Sequence, residues 1–152
     1  MENFDTFDAK IMRQLQRDSA QTVDEIGDAI GLSRNATWRR IKRLEDEKII
    51  QKRVAKLDPE ALNLGLAVFI SVRTDRHDAK WAESFRRTVR TFPEILGAYR
   101  TSGDLDYLIH ARVADVSAYD RLYQRLIAAI ELKDVSASFV MEELKETTEL
   151  PV

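Results

Sequence analysis

The chain has 152 residues, 44% of them hydrophobic and 33% charged, with a formal net charge of -2 and no cysteine. That length holds two small cores or one larger one, while the lack of cysteine excludes a disulfide frame, a thiolate zinc site and a cysteine nucleophile, and suits a reducing compartment. No apolar run reaches the length of a membrane span and the first residues carry charge where a signal peptide is apolar, so a cytoplasmic protein with no membrane partner is expected.

Asp5 and Asp8 place acids at the start of a first helix, with Phe4 positioned for a hydrophobic staple and Ile11 and Leu15 as a buried pair. Thr22 followed by Glu25 is a capping-box pattern that opens a second helix, whose stripe is Val23, Ile26, Ala29 and Ile30. Gly31 suits the left-handed residue that closes this helix, Leu32 can tuck inward, and Ser33 is a favoured N-cap for a third. In that third helix Thr37, Ile41 and Leu44 share one face, which turns Asn35, Arg39 and Lys42 outward. Two helices around a tight turn, over about residues 23–42, read as a helix-turn-helix.

The charge distribution points the same way. Residues 34–56 hold nine Lys or Arg against three acids, whereas residues 1–33 hold three against seven. A local excess of cations on a mildly acidic chain is the footprint of a surface built for a polyanion. Asn35 and Arg39 carry the donors and acceptors suited to base edges in the major groove of double-stranded DNA. Ser33, Arg34, Arg40, Lys42 and Arg43 lie on or beside that face, the arginines within reach of phosphates. Trp38 sits next to the buried stripe, where packing against the following segment competes with contact to DNA. After the helix, residues 48–54 lose the helical period and read as an extended arm or small wing, with Lys52, Arg53 and Lys56 for phosphates. The competing reading of the whole stretch is a solvated charged helix face.

Residues 57–65 read as a hinge, since Asp58-Pro59 starts a turn and Gly65 precedes a change of period. The domains are therefore expected at residues 4–65 and 66–152. In the second, residues 66–73 form a buried strand, and Trp81, Phe85, Val89 and Phe92 give residues 78–92 a helical stripe that Pro93 stops. Strands follow at residues 95–102 and 107–113 around a Gly103-Asp104 turn. Ser117 is the expected cap of a second helix with Leu122, Tyr123, Leu126, Ile127 and Ile130 inward, and residues 135–141 form the last strand. The order β-α-β-β-α-β is the ferredoxin-like split βαβ, in which an antiparallel sheet carries both helices on one face. The fold class is α+β: a winged helix-turn-helix followed by a ferredoxin-like domain. Ala67, Phe69, Ala98, Leu108 and Phe139 are expected on the uncovered sheet face, which a second copy would bury, giving a homodimer.

These residues resemble the Lrp/AsnC (feast/famine, leucine-responsive) transcription regulators over nearly the whole chain. The resemblance is carried by Phe4-Asp5-x-x-Asp8, Gly31-Leu32-Ser33, Arg39-Arg40-Ile41-x-x-Leu44-Glu45, Asp58-Pro59, Ser102-Gly103-Asp104-Leu105-Asp106-Tyr107-Leu108 and Phe139-Val140-Met141-Glu142-Glu143-x-Lys145. Trp38, Trp81 and Leu150-Pro151 are most similar to the cysteine-responsive detoxification branch. The resemblance implies a RAM/ACT-like second domain, assembly of dimers to tetramers or octamers, and a small amino acid as effector; no cofactor is expected, and no metal, because Asp104, Asp106, Glu142 and Glu143 could offer oxygen ligands to a divalent cation but their spacing matches no established loop. It also implies a glycine after the recognition helix, where this chain has Lys48; a left-handed backbone there costs a non-glycine about 1 kcal/mol.

An amino-acid zwitterion needs donors for its carboxylate, which the Ser102 and Gly103 amides can supply, and an acceptor for its ammonium, which Asp104 or Asp106 can supply. Tyr99, Thr101, Ser136 and Ser138 are read as further walls on neighbouring strand ends. The alternative for the loop is a hairpin turn with surface acids. A small enzyme or an amino-acid-binding module without DNA binding are the competing functions, but no triad is apparent, His77 lies in a polar loop and His110 on a strand. An enzyme is not expected.

Overall fold

The computed structural model describes residues 4–152. The chain divides into two compact units, the first running up to Lys56 together with Lys145–Val152, the second Leu57–Leu144.

In the first unit, α1 (Thr6–Arg17), α2 (Val23–Ile30) and α3 (Arg34–Asp46) each start where a side chain takes up free amides. Asp5 caps α1 by accepting from the Phe7 and Asp8 amides, and Asp8 accepts in return from the Asp5 amide. Thr22 and Glu25 close the same reciprocal box on α2, and the bond from the Thr22 amide holds the Glu25 carboxyl below its usual pKa. Gly31 ends α2 at φ 75, and Ser33 caps α3. The apolar stripes meet in one core of Ile11, Met12, Leu15, Ile26, Ile30, Ile41 and Leu44.

Three expectations differ from the structure here. Ala29 is exposed, and Gly27 is buried in the expected stripe instead, because a Cβ at Gly27 would stand 2.7 Å from the Leu32 carbonyl oxygen and 3.0 Å from Thr37 Oγ1. The turn of the motif is that tight. Phe4 is 43% exposed and belongs to no core cluster, so no staple forms. No strand follows α3 among the described residues before Leu66, so the helix-turn-helix has no β wing; Arg53 reaches back to Glu45 at 3.1 Å.

Lys48 takes the left-handed conformation, φ 62, while Ile50 N–H closes on the Leu44 carbonyl at 3.0 Å. Glycine relieves that strain, so Lys48→Gly is expected to stabilise the unit by up to about 1 kcal/mol in urea unfolding, part of it offset by the freer unfolded chain.

Residues 145–152, read from sequence as part of the second domain, pack with the first unit. The Gln16 side chain bonds both backbone groups of Leu150, at 2.6 and 3.2 Å; Arg13 Nε donates to the Val152 carbonyl at 2.6 Å, and Val152 packs on the core. Lys56 and Glu146 pair at 3.1 Å.

The second unit is the expected split βαβ: β1 (Leu66–Arg73), α4 (Ala79–Arg90), β2 (Ile95–Arg100), β3 (Tyr107–Val113), α5 (Val116–Ala129) and β4 (Asp134–Phe139). Its antiparallel sheet runs β2-β3-β1-β4. Val68, Ile70, Val72, Ile109, Ala111 and Val113 face Trp81, Phe85, Leu122 and Leu126 to form the core. Asp115, not Ser117, caps α5, accepting from the Ala118 amide at 2.7 Å, and Ile127 is exposed. Phe139 pairs opposite the core residue Val68 and meets the Tyr119 ring edge-on at 5.2 Å, while Ala98 pairs opposite Ile109; both therefore face the helices rather than the open side. The open side carries Ala67, Phe69, Leu108 and Tyr99, with Phe69 stacked on His110 at 4.9 Å.

Candidate nucleic-acid interface and effector loop

Burial of Thr37, Ile41 and Leu44 fixes the rotation of α3, so Asn35, Arg39 and Lys42 face solvent. The cations around them are held to different degrees. Arg40 contacts Asp5 at 2.9 Å and Asp8 at 2.8 Å, and Arg43 also bonds Asp8, whose side chain is only 1% exposed. The Asp8 bond raises the Arg40 pKa, and the Asp8 amide, aided by Arg40, lowers that of Asp5. Both arginines, expected to reach phosphates, are thus first of all the clamp that holds α3 on α1. Arg34 pairs with Asp24, Lys42 with Asp46 at 2.8 Å, and Arg53 with Glu45. These are exposed pairs, worth little in water and readily exchanged for a phosphate. Arg39 and Lys52 are exposed with no ion pair among the described residues. Trp38 is 55% exposed, next to Arg39 in the chain. Sequence alone missed Asp8 as the anchor of α3, since an acid in a first helical turn reads as a capping group and nothing local names its distant partners.

In the loop between β2 and β3, Gly103 sits at φ 106 and Ser102, Gly103 and Asp104 are exposed. Asp106 is half-buried: its carboxylate accepts from the Thr74 amide at 2.8 Å and its own amide donates to the Val72 carbonyl. Thr101 Oγ1 donates to the Leu105 carbonyl at 2.6 Å, and Arg73 Nε to the Asp104 carbonyl at 2.9 Å. Asp106 and Thr101 brace the loop, while Asp104 is exposed with no ion pair among the described residues and the Ser102–Gly103 segment is exposed beside it. Tyr99, Ser136 and Ser138 share the open sheet face, yet they are not on neighbouring strands as the sequence suggests. β2 and β4 are opposite edges of the sheet, so the two sets stand about 14 Å apart, three strand spacings. Among the described residues no cluster of His, Asp or Glu is placed to hold a metal ion.

The profile of the AsnC-type helix-turn-helix domain matches residues 4–45, and that of the Lrp/AsnC ligand binding domain matches residues 67–150. The chain belongs to the Lrp/AsnC family. This Lrp/AsnC chain is 46% identical over 148 residues to the glutamate uptake regulatory protein of Zymomonas mobilis, covering 97% of this chain and 90% of that protein. It is 40% identical over 149 residues to the DNA-binding transcriptional activator DecR of Escherichia coli, covering 97% and 98%. Among solved structures, a transcriptional regulator of Neisseria meningitidis in complex with L-Met superposes with a TM-score of 0.93 at 36% identity, covering 98% of this chain and 97% of that one. The family's two domains thus coincide with the cationic helix-turn-helix and with the sheet that carries the loop.

Proposed function

We propose that this protein is a cytoplasmic, sequence-specific DNA-binding regulator of transcription, acting as a homodimer or a larger assembly of dimers whose DNA binding responds to a small amino acid. The observation that carries the reading is the outward face of α3: Asn35 and Arg39 are exposed and Arg39 is unpaired among the described residues, on a helix locked in place by its other side. The named relatives are a regulatory protein and a DNA-binding activator, and a solved neighbour holds L-Met, which supports both halves of the reading. No helix among the described residues is long and apolar enough to cross a membrane. Two copies joined through the open sheet face around Phe69 and Leu108 bind two half-sites, and an interface between copies brings Tyr99 of β2 and the serines of β4, which lie on opposite edges of one sheet, to one ligand.

Selection of bound duplexes from a random pool tests the DNA half. Enrichment of two inverted half-sites spaced by about one helical turn, roughly 34–36 Å, or a multiple is expected; recovery of no preferred sequence contradicts it. A thermal-shift screen of the twenty amino acids tests the other half. One ligand, well above its dissociation constant, is expected to stabilise the protein by about 2–4 kcal/mol. Asp104→Ala is expected to abolish that shift while leaving basal DNA binding intact, and a shift that survives places the ligand elsewhere.

A further inference from the structure

A groove of about 760 Å³ runs between α4 and β2, lined by neither the DNA-facing residues nor the 102–106 loop. Its floor is apolar, with Phe85, Val89, Ile95 and Tyr107. Its rim is cationic, formed by Arg76, Arg86, Arg90 and Arg100, with His77 beside them, on a chain whose net charge is -2. Asp78 is the sole acid lining it among the described residues, and that carboxylate is engaged by the Trp81 amide at 2.8 Å and by Arg76 at 3.5 Å, Arg76 also meeting Glu131 at 3.5 Å. Arg86 pairs with Glu83, whereas Arg90 and Arg100 have no ion pair among the described residues.

One wall of this groove is an edge strand. β2 pairs only with β3 among the described residues, and its outer backbone edge is unpaired alongside a helix. An unpaired strand facing a helix across a groove is the geometry in which an extended peptide adds to a sheet, main-chain bonds giving affinity and alternate side chains giving selectivity. A second copy of β2 is a poor occupant, because it brings the same arginine-rich rim to this groove and no carboxylate for Arg90 and Arg100. A DNA backbone satisfies the arginines but makes no use of the apolar floor or of the strand edge.

We infer that the α4–β2 groove docks an extended acidic segment of a partner protein, added beyond β2 to the 4-stranded sheet, with every second side chain turned to the groove: a carboxylate at each end on Arg90 and Arg100 and an apolar side chain between them beside Ile95. The probe is a fluorescein-labelled peptide, Glu-Thr-Val-Thr-Glu with blocked ends, which turns both carboxylates and the valine to one face of a strand, titrated with the full chain and read by anisotropy. Saturable binding is expected, weakened about tenfold or more by Arg90→Glu combined with Arg100→Glu, and similarly by N-methylation of alternate peptide bonds in the probe. Affinity for the selected DNA and the thermal midpoint should not move. If the charge reversal itself lowers the midpoint, Arg90→Gln with Arg100→Gln takes its place.

Four results overturn the inference: no binding of the acidic peptide, equal binding of a Lys-Thr-Val-Thr-Lys peptide, unchanged binding by the arginine variants, or undiminished binding of the N-methylated probe. Loss of DNA affinity in the arginine variants, with a random-sequence duplex displacing the peptide, also overturns it and assigns the groove to nucleic acid.

Discussion

Replacing Asp8 by alanine is expected to destabilise the N-terminal unit by about 3 kcal/mol, because it removes the one carboxylate that both Arg40 and Arg43 grip and leaves Arg40 with Asp5 as its remaining ion pair. The value lies at the low end for a broken buried pair since the partner arginines, at 27% and 43% side-chain exposure, regain some water. The loss has a second component: Asp8 also accepts from the Asp5 amide, so half of the capping box of α1 goes with it. Asp8→Asn keeps an acceptor for that amide and should fall between wild type and alanine. Urea unfolding followed by far-UV circular dichroism checks both. DNA affinity should drop in parallel, because α3 loses most of its polar clamp on α1, keeping the apolar core and the Arg40–Asp5 pair, while its own base-facing side chains remain. A full-strength clamp without Asp8, seen as an unchanged midpoint, would mean that the pairs to Arg40 and Arg43 contribute nothing net.

Phe85→Ala is expected to cost the second unit about 3–5 kcal/mol. Phe85 is 2% exposed, packed between the Trp81 ring at 5.3 Å and the Tyr107 ring at 4.4 Å, on the core side of α4. Its removal leaves a cavity that Trp81 cannot fill, since the indole is itself tied by Nε1 to the Glu131 carbonyl at 3.0 Å. Phe85→Leu retains most of the volume and should cost less than about 2 kcal/mol. Tryptophan emission reports this unit through Trp81. Asp8 and Phe85 lie in different compact units, so their effects should add within about 0.5 kcal/mol in the double variant.

How much of this was legible beforehand depends on the range of the interaction. Features set by neighbours within a turn or two stand in the sequence: the Thr22–Glu25 box, Gly31 and Ser33 on either side of the turn, the Thr37–Ile41–Leu44 stripe, and the bounds of β1 and β3. What sequence patterns conceal is which distant group a side chain meets. Arg40 and Arg43 read as phosphate ligands because outward arginines on a recognition helix do, and only the packing of α1 reveals Asp8 between them. Phe139 and Ala98 sit on edge strands, where alternation names two faces without saying which is inside; the register with β1 and β3 decides it. The expected proximity of Tyr99 to Ser136 and Ser138 failed for the same reason, since strand order places β2 and β4 at opposite edges. The return of residues 145–152 to α1 has no local signal at all: Gln16 and Leu150 are far apart in sequence, and their bonds use backbone groups that any residue possesses.

The central claim is that α3 reads DNA, and the salt dependence of DNA affinity for Arg39→Ala and Lys52→Ala beside the unaltered protein tests it most directly. Both residues are exposed and free of ion pairs among the described residues, so neither change disturbs the fold. Lys52→Ala should weaken binding to all sequences alike and reduce the slope of log affinity against log salt by about 1. Arg39→Ala should cost about 1–3 kcal/mol on the selected sequence and narrow its margin over unrelated duplexes. Unchanged affinity and slope in both variants would contradict the assignment of α3 as the DNA-reading helix.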